Sequence, residues 1–298
     1  MPPHDNPAHL PTFRFAPSPT GRLHLGHALS AILNAQAAQA AGGRFLLRIE
    51  NTDLTRCTPQ NEAAIFEDLA WLGLRWEESV RRQSDHFDDY AEALQRLRDR
   101  DLVYPAFLSR GETRALISQA EAEGKSWPRD PDGAPLYPGV ERLMPNAERQ
   151  QRISAGEPFA WRLDMKAALA QLKQPITWSE LGQGPNGETG NVPANPAAWG
   201  DVVLARKDAP ASYMLAVVVD DALQGITTVL RGADLFYATA VQRLLQELLD
   251  LPAPLYHHHR LVLDADGRKL SKSAGSPSLA DLRKAGIAPN AVRAMLGL

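Results

Sequence analysis

Cysteine is almost missing from this 298-residue chain: Cys57 stands alone. No intramolecular disulfide can form, and no cysteine-rich zinc centre can be assembled. Such scarcity fits a reducing compartment, and a cytoplasmic location is expected. Long apolar runs are missing too, since no stretch approaches the ~18 uninterrupted apolar residues of a membrane span. The first 11 residues are polar with several prolines, and lack the apolar run of a secretory signal. There is no excess of positive charge: the net charge is -3 and the pI about 6.3. Any contact with nucleic acid must then come from local Arg and Lys patches. No internal repeat is visible. What is present is ample apolar material, 44% of residues, enough for one large domain with an insertion or two small ones.

Residues 12–16 read as a buried strand, and 17–23 as a loop, because two prolines and Gly21 block regular structure. Residues 24–41 are Ala- and Leu-rich and predict a helix, closed by Gly42-Gly43. Residues 44–50 predict a second strand. Strand, loop, helix, strand is a βαβ unit, which favours a parallel sheet. Helices are expected over 58–72 and 85–101. From 105 to about 200 the chain turns rich in Pro, Gly, Arg and Asp and reads as an insertion with long loops. Apolar periodicity resumes at 201–205, followed by a helix over 213–221, a strand over 225–231 and a helix over 234–250. A strand over 259–263, a turn over 264–267 and two short helical pieces complete the expectation. The fold class is therefore α/β, a parallel sheet built from 12–104 and 201–263, with an α+β insertion at 105–200 and short C-terminal helices within 264–298. Ligands in such sheets lie at the carboxyl ends of the strands, so 16–22 and 50–55 would line one crevice.

Two short segments carry chemistry. The first runs Phe15-Ala16-Pro17-Ser18-Pro19-Thr20-Gly21-Arg22-Leu23-His24-Leu25-Gly26-His27. His24 and His27 are three apart, hence on one face at a helix N-terminus, where exposed N–H groups already favour anions. Gly26 between them permits close approach of a ligand. The second is Lys269-Leu270-Ser271-Lys272-Ser273, in which Lys272 is a point charge suited to a pyrophosphate. Each alone is as readily a capped helix start or a solvated turn. Together, in this order, they resemble the two ATP-binding signatures of class I aminoacyl-tRNA synthetases. Arg14 is charged where a buried strand wants an apolar residue, so it calls for a carboxylate partner. Glu50 ends the second strand and would accept from an ammonium group. Arg231 ends the strand GITTVLRG and would reach the same crevice. Two arginines and a glutamate suit a dicarboxylic amino acid, although singly each is more often a surface ion-pair member.

RFAPSPTG-x-LHLGH, RIENTD, YMLAVVVDD, ITTVLRGADL and GRKLSKS together resemble the glutamyl-tRNA synthetase family, over residues 12–273 and most weakly in the insertion. The resemblance implies a Rossmann-type catalytic domain, ATP with Mg2+, and activation of L-glutamate. Carried over by position, Arg14, Phe15, Ala16, Pro17, Ser18, Glu50, Tyr213 and Arg231 would bind glutamate. His24, Gly26, His27, Lys269, Ser271 and Lys272 would bind ATP, with His24, His27 and Lys272 as the catalytic groups. The partners implied are tRNA and L-glutamate, with no DNA and no membrane, the chain acting as a monomer.

The chain departs from the family pattern in several places. Only 25 residues follow the lysine-rich loop, too few for an anticodon-binding domain, so a tRNA(Glu)-charging enzyme is the secondary expectation. Val217 replaces a polar residue, which lowers the expected glutamate affinity. The short length and the YMLAVVVDD wording resemble the glutamyl-Q branch of the family, which activates glutamate without tRNA and esterifies it onto the queuosine base at the wobble position of tRNA(Asp). A catalytically dead RNA-binding paralogue is the third alternative, and the intact histidines and lysines argue against it. Relatives often carry zinc through a C-x-C pair near the start of the insertion. The matching stretches YPAFLS (104–109) and YPGVER (137–142) have no cysteine, so zinc is expected to be absent and packing of Phe107 and Leu108 to replace it. His257-His258-His259 alternate between two faces of an extended segment and are poor co-ligands for a metal. Candidate RNA contacts in the insertion are Arg110, Arg114, Lys125, Arg129, Arg142 and Arg152, with Phe107, Trp127 and Tyr137 for base stacking.

Overall fold

A computed structural model describes residues 10–206, 209–264 and 277–298. The chain opens with β1 (Thr12–Phe15), α1 (Leu25–Ala40), β2 (Arg44–Ile49), α2 (Pro59–Trp71), β3 (Arg81–Arg82) and α3 (Phe87–Arg98). The middle holds β4 (Val103–Ala106), α4 (Arg110–Ala122), α5 (Asn146–Ser154), β5 (Ala160–Leu163), α6 (Met165–Ala170), β6 (Thr177–Glu180) and β7 (Gly190–Pro193). Then come β8 (Val203–Arg206), α7 (Tyr213–Leu223), β9 (Thr228–Gly232), α8 (Thr239–Leu248), β10 (Leu255–His259), α9 (Leu279–Lys284) and α10 (Pro289–Met295).

β1, β2 and β3 pair in parallel, and so do β9, β10 and β6, with β7 antiparallel at the edge. The two sheets abut where Thr227 N donates to Thr12 O at 3.0 Å and Thr12 N to Thr227 Oγ1 at 2.8 Å. The strand order is thus β3-β2-β1-β9-β10-β6-β7, a parallel Rossmann-like sheet. The order reverses direction between β1 and β9, and at such a switch point a crevice opens beyond the carboxyl ends of the strands. A third sheet, β4-β5-β8, is antiparallel. Strand pairing crosses the compositional boundary at 200: β6, from the Pro- and Gly-rich stretch, joins the parallel sheet, while β8 joins β5.

α1 forms because Ala and Leu give low-cost helix and one face meets the sheet. Leu29, Ile32 and Ala28 on that face are buried against Phe13, Phe45 and Leu47, at roughly 1.5–3 kcal/mol for each large apolar side chain. The helix ends on two glycines with separate duties. Gly42 takes a left-handed φ of 58°, and a Cβ on Gly43 would sit 2.0 Å from the Pro11 carbonyl oxygen.

Two expected elements moved. The strand placed at 259–263 is β10, Leu255–His259. The histidine run is polar, yet His258 is buried because its ring atoms are bonded to Glu180 and Arg231. The helix placed over 234–250 is a 3-10 turn at Ala233–Leu235 followed by α8. The Leu235 carbonyl there accepts from the Arg231 side chain at 3.1 Å.

At the start of the insertion the buried Glu141 acts as a hub. Its carboxylate accepts from Phe107 N at 2.8 Å, Leu108 N at 3.0 Å and Tyr137 Oη at 2.8 Å. Phe107 is buried beside the Phe159 ring, 5.7 Å between centroids, so the hydrogen-bonded carboxylate and apolar packing order this corner together. Among the described residues no group of three His, Cys, Asp or Glu is placed to hold a metal ion, and no helix is long and apolar enough to cross a membrane.

Asp68 of α2 is fully buried, and neither carboxylate oxygen has a hydrogen-bond partner. Its nearest cation is Arg283 of α9, with Nη1 at 3.5 Å. Burial raises its pKa from 3.8 to about 6, against the pull of Arg283 and Arg22. The folded chain then holds this proton more tightly than the unfolded chain. Stability is lost as pH rises from about 4 to about 6, and stays lost above. The interval corresponds to at most about 3 kcal/mol. Asp68→Asn cannot ionise, so its melting temperature is expected to exceed that of the parent at pH 8 but not at pH 4. An advantage of equal size at both pH values would exclude the buried charge as its cause.

Candidate active site

At the switch point lies a cavity of about 260 Å³. β1 and the loop after it contribute Arg14, Phe15, Ala16, Pro17 and Ser18; the start of α1 contributes His24, Gly26 and His27. Glu50 enters from the end of β2, Tyr213 from the first turn of α7 and Arg231 from β9. All the glutamate-side residues expected from sequence therefore meet in one cavity with His24, Gly26 and His27. Lys269, Ser271 and Lys272 lie outside the described residues. Val217 is buried in the core and is not among the lining residues.

His24 is the N-cap of α1. Its Nδ1 accepts from Gly26 N at 3.1 Å, and its own backbone N–H donates to Nδ1 of His27 at 3.1 Å. The two rings stand 3.8 Å apart between centroids. Because both Nδ1 atoms accept, each neutral ring carries its proton on Nε2. Gly26 is needed first for the histidine itself: a Cβ there would meet the His24 ring at 3.0 Å. Asn34, buried two turns further along α1, donates to the Leu230 carbonyl at 2.9 Å and locks the helix to β9 beside Arg231.

The electrostatics below the cavity are set by two adjacent carboxylates on α7. Arg14 donates through Nε to Asp221 Oδ1 at 3.0 Å and through Nη2 to Oδ2 at 3.3 Å. The carboxylate partner that Arg14 calls for is thus inside the protein, and Arg14 lines the cavity as well. Arg48, fully buried, donates to Asp221 Oδ1 at 2.7 Å and to Glu50 Oε1 at 3.0 Å. Asp220 accepts from Arg81 Nε at 2.7 Å, Gln83 Nε2 at 2.8 Å and Tyr90 Oη at 2.9 Å. Burial alone would raise the pKa of Asp221, but Arg14 and Arg48 hold it below the usual carboxylate range. Burial raises the pKa of Glu50 in spite of Arg48 and Arg14.

Arg231 donates from Nη2 to Thr239 Oγ1 at 2.8 Å and to Leu235 O at 3.1 Å, and from Nε to His258 Nε2 at 3.1 Å. Its Nη1 reaches Tyr213 Oη at 3.4 Å. A guanidinium has five donors; one Nη1 hydrogen and the Tyr213 hydroxyl proton remain to converge on an incoming carboxylate.

None of Asp220, Asp221, Glu180 and His258 was given a role in the site from sequence: the two aspartates stood only inside a family motif, and His258 was weighed only as a metal ligand. The acidic pair does carry a signal, because positions 220 and 221 fall seven and eight residues after Tyr213, on the same helical face. Glu180 carries none, since it lies in the irregular stretch. The candidate RNA contacts are less open than expected. Lys125 pairs with Glu123, Arg129 with Glu121, Arg142 with Asp201 and Arg152 with Glu157. Arg152 covers the Phe107 ring and Arg162 the Tyr137 ring. Arg110 and Arg114 are exposed. His257, His258 and His259 do not converge on a common ligand, since His258 faces Glu180 while His259 Nδ1 contacts the Arg260 carbonyl at 2.8 Å.

A family model for the catalytic domain of class I tRNA synthetases (E and Q) matches residues 12–298. Glutamyl-Q tRNA(Asp) synthetase of Rhodobacter capsulatus is 45% identical over 286 residues, covering 96% of this chain and 99% of that protein. Glutamate--tRNA ligase of Prochlorococcus marinus is 39% identical over 294 residues, covering 96% of this chain but 57% of that protein. The crystal structure of a glutamate tRNA ligase from Elizabethkingia meningosepticum, in complex with its amino acid, superposes with a TM-score of 0.77. Identity there is 28%, over 95% of this chain and 59% of that one. With a matching model along nearly its whole length, this chain belongs to the class I glutamyl- and glutaminyl-type tRNA synthetase family, whose members are ligases.

Proposed function

We propose that the chain activates L-glutamate with ATP in the absence of tRNA and then transfers it to the queuosine base at the wobble position of tRNA(Asp). In the first step a glutamate carboxylate oxygen attacks the α-phosphorus of ATP, and pyrophosphate leaves. In the second a queuosine hydroxyl attacks the acyl carbon, and AMP leaves. The observation that carries the reading is the convergence of Arg14, Glu50, Tyr213 and Arg231 with His24 and His27 in one crevice.

Arg231 and Tyr213 take one carboxylate of glutamate, Arg14 assists, and Glu50 accepts from the ammonium group. Phe15, Ala16, Pro17 and Ser18 form the wall. His24 and His27 act on ATP from the helix start, with Gly26 beside them. Stabilising charge on the phosphoryl oxygens and aligning the two anions are the main catalytic tasks. Lys269, Ser271 and Lys272 serve the pyrophosphate side. Mg2+ arrives with ATP as part of the substrate. The catalytic unit comprises 12–104 and 201–263, with 105–200 as an insertion that lends β6 and β7 to its sheet and takes β8 into its own, and 264–298 as loop and terminal helices, acting as a monomer in the cytoplasm.

ATP–pyrophosphate exchange, run with each amino acid and with and without tRNA, tests the first step. Exchange is expected with glutamate alone and no tRNA; a strict need for tRNA, or equal exchange with aspartate, would count against it. Equal loading of tRNA(Asp) with and without queuosine would end the second step. A second reading, charging of the 3′ end of tRNA(Glu), is favoured by the 39% identity to a glutamate--tRNA ligase. Locating the ester on the RNA separates the two.

A further inference from the structure

Arg231 can meet a ligand only if something behind it holds the guanidinium still. Behind it stands His258 of β10, whose Nε2 accepts from Arg231 Nε at 3.1 Å. That bond requires a bare Nε2 lone pair, so the tautomer of His258 matters. Glu180, at the end of β6, decides it. Glu180 Oε1 accepts from His258 N at 2.8 Å and Gly182 N at 3.0 Å. Its Oε2 faces Trp178 Nε1 at 3.3 Å and His258 Nδ1 at 2.6 Å. Every one of these contacts presents a donor, so the carboxylate is ionised and the shared proton sits on Nδ1. Both side chains are completely buried. The Tyr256 ring lies parallel to the imidazole and Phe236 meets it edge-on, 5.1 Å between centroids, which fixes the ring plane. Burial pushes His258 toward the neutral form despite the bond to Glu180.

We propose that Glu180 and His258 are positioning residues for glutamate capture: Glu180 fixes the Nδ1–H tautomer of His258, and His258 Nε2 in turn aims Arg231 at the substrate carboxylate. A residue from the irregular middle of the chain thereby sets the affinity of a site on β9 that it does not touch. The inference rests on the reading of Arg231 as a carboxylate ligand.

The test compares His258→Asn, His258→Gln, Glu180→Gln and Arg231→Lys in glutamate-dependent pyrophosphate exchange, with folding checked by circular dichroism. Asn places a donor where Nδ1 is, satisfying Glu180 but leaving Arg231 Nε without an acceptor. Gln places its amide oxygen near the Nε2 position and restores that acceptor. His258→Asn is expected to raise the KM for glutamate at least about tenfold with the KM for ATP unchanged, and His258→Gln to stay within about threefold of the parent. Should His258→Asn not fold, Glu180→Gln replaces it: whichever oxygen becomes the amide nitrogen, two of the four donors then face amide hydrogens, and the same glutamate-specific loss is expected. Equal KM values for glutamate in the Asn and Gln variants, or a loss shared equally with ATP, would overturn the positioning role. If Arg231→Lys leaves the KM for glutamate unchanged, the reading of Arg231 falls instead. If it raises that KM while His258→Asn does not, only the inference falls.

Discussion

Replacing Arg231 with alanine is expected to raise the KM for glutamate in pyrophosphate exchange by at least about 100-fold, while the KM for ATP stays near that of the parent. A hydrogen bond to a charged group contributes about 1.5–3 kcal/mol. Arg231 offers one such bond directly, and through its contact with Tyr213 Oη it orients a second donor. Two such losses correspond to roughly 100-fold or more in affinity. The truncation also strips an acceptor's partner from His258 Nε2 and a donor from Thr239 Oγ1, both buried. Some global destabilisation will therefore accompany the kinetic effect. Steady-state exchange at saturating ATP separates the two, because partial unfolding lowers the amount of active enzyme without changing the KM of what remains. A glutamate KM within threefold of the parent would remove Arg231 from the substrate site.

Asp220→Ala is expected to cost about 3–5 kcal/mol of stability. Asp220 is fully buried, and its two oxygens serve Arg81, Gln83 and Tyr90, with Arg48 Nε 3.6 Å away. Removing a partner from a buried ionic cluster leaves uncompensated charge, which costs more than the pair itself contributes. Arg48 would retain Asp221 and Glu50, but Arg81 would keep only the half-buried Asp89. For a chain of this length a loss of that size lowers the melting temperature by roughly 10 °C. Asp220→Asn keeps the shape and most acceptors and should cost less. Thermal denaturation followed by circular dichroism measures both. A shift below about 2 °C for Asp220→Ala would mean that the network beneath the cavity contributes little.

Patterns spaced along one strand or one helix were readable before the fold was known. The βαβ opening, the capped start of α1 and the glycines at its end follow from local preference and from apolar periodicity, and both are short-range effects. The position of Arg14 on an otherwise apolar strand signalled a buried ionic partner. It did not say whether that partner was a ligand or the protein, and Asp221, 207 residues away, turned out to be it. β10 was misplaced by a few residues because polar histidines give no apolar signal for where the strand begins. The burial of His258 depends on Glu180, which only the parallel pairing of β6 with β10 brings near.

Composition and apolar periodicity were enough for the α/β class, because those are properties of neighbours in the chain, while the family and the roster of crevice residues came from the resemblance of whole motifs to a known family. The assignment of each charge to its partner belongs to the folded molecule alone. Which carboxylate Arg14 pairs with and which nitrogen of His258 bears its proton are settled by contacts between strands and helices 78 to 207 residues apart. Ionic and hydrogen-bond energies depend on distance and burial, and neither quantity exists until the chain has closed on itself.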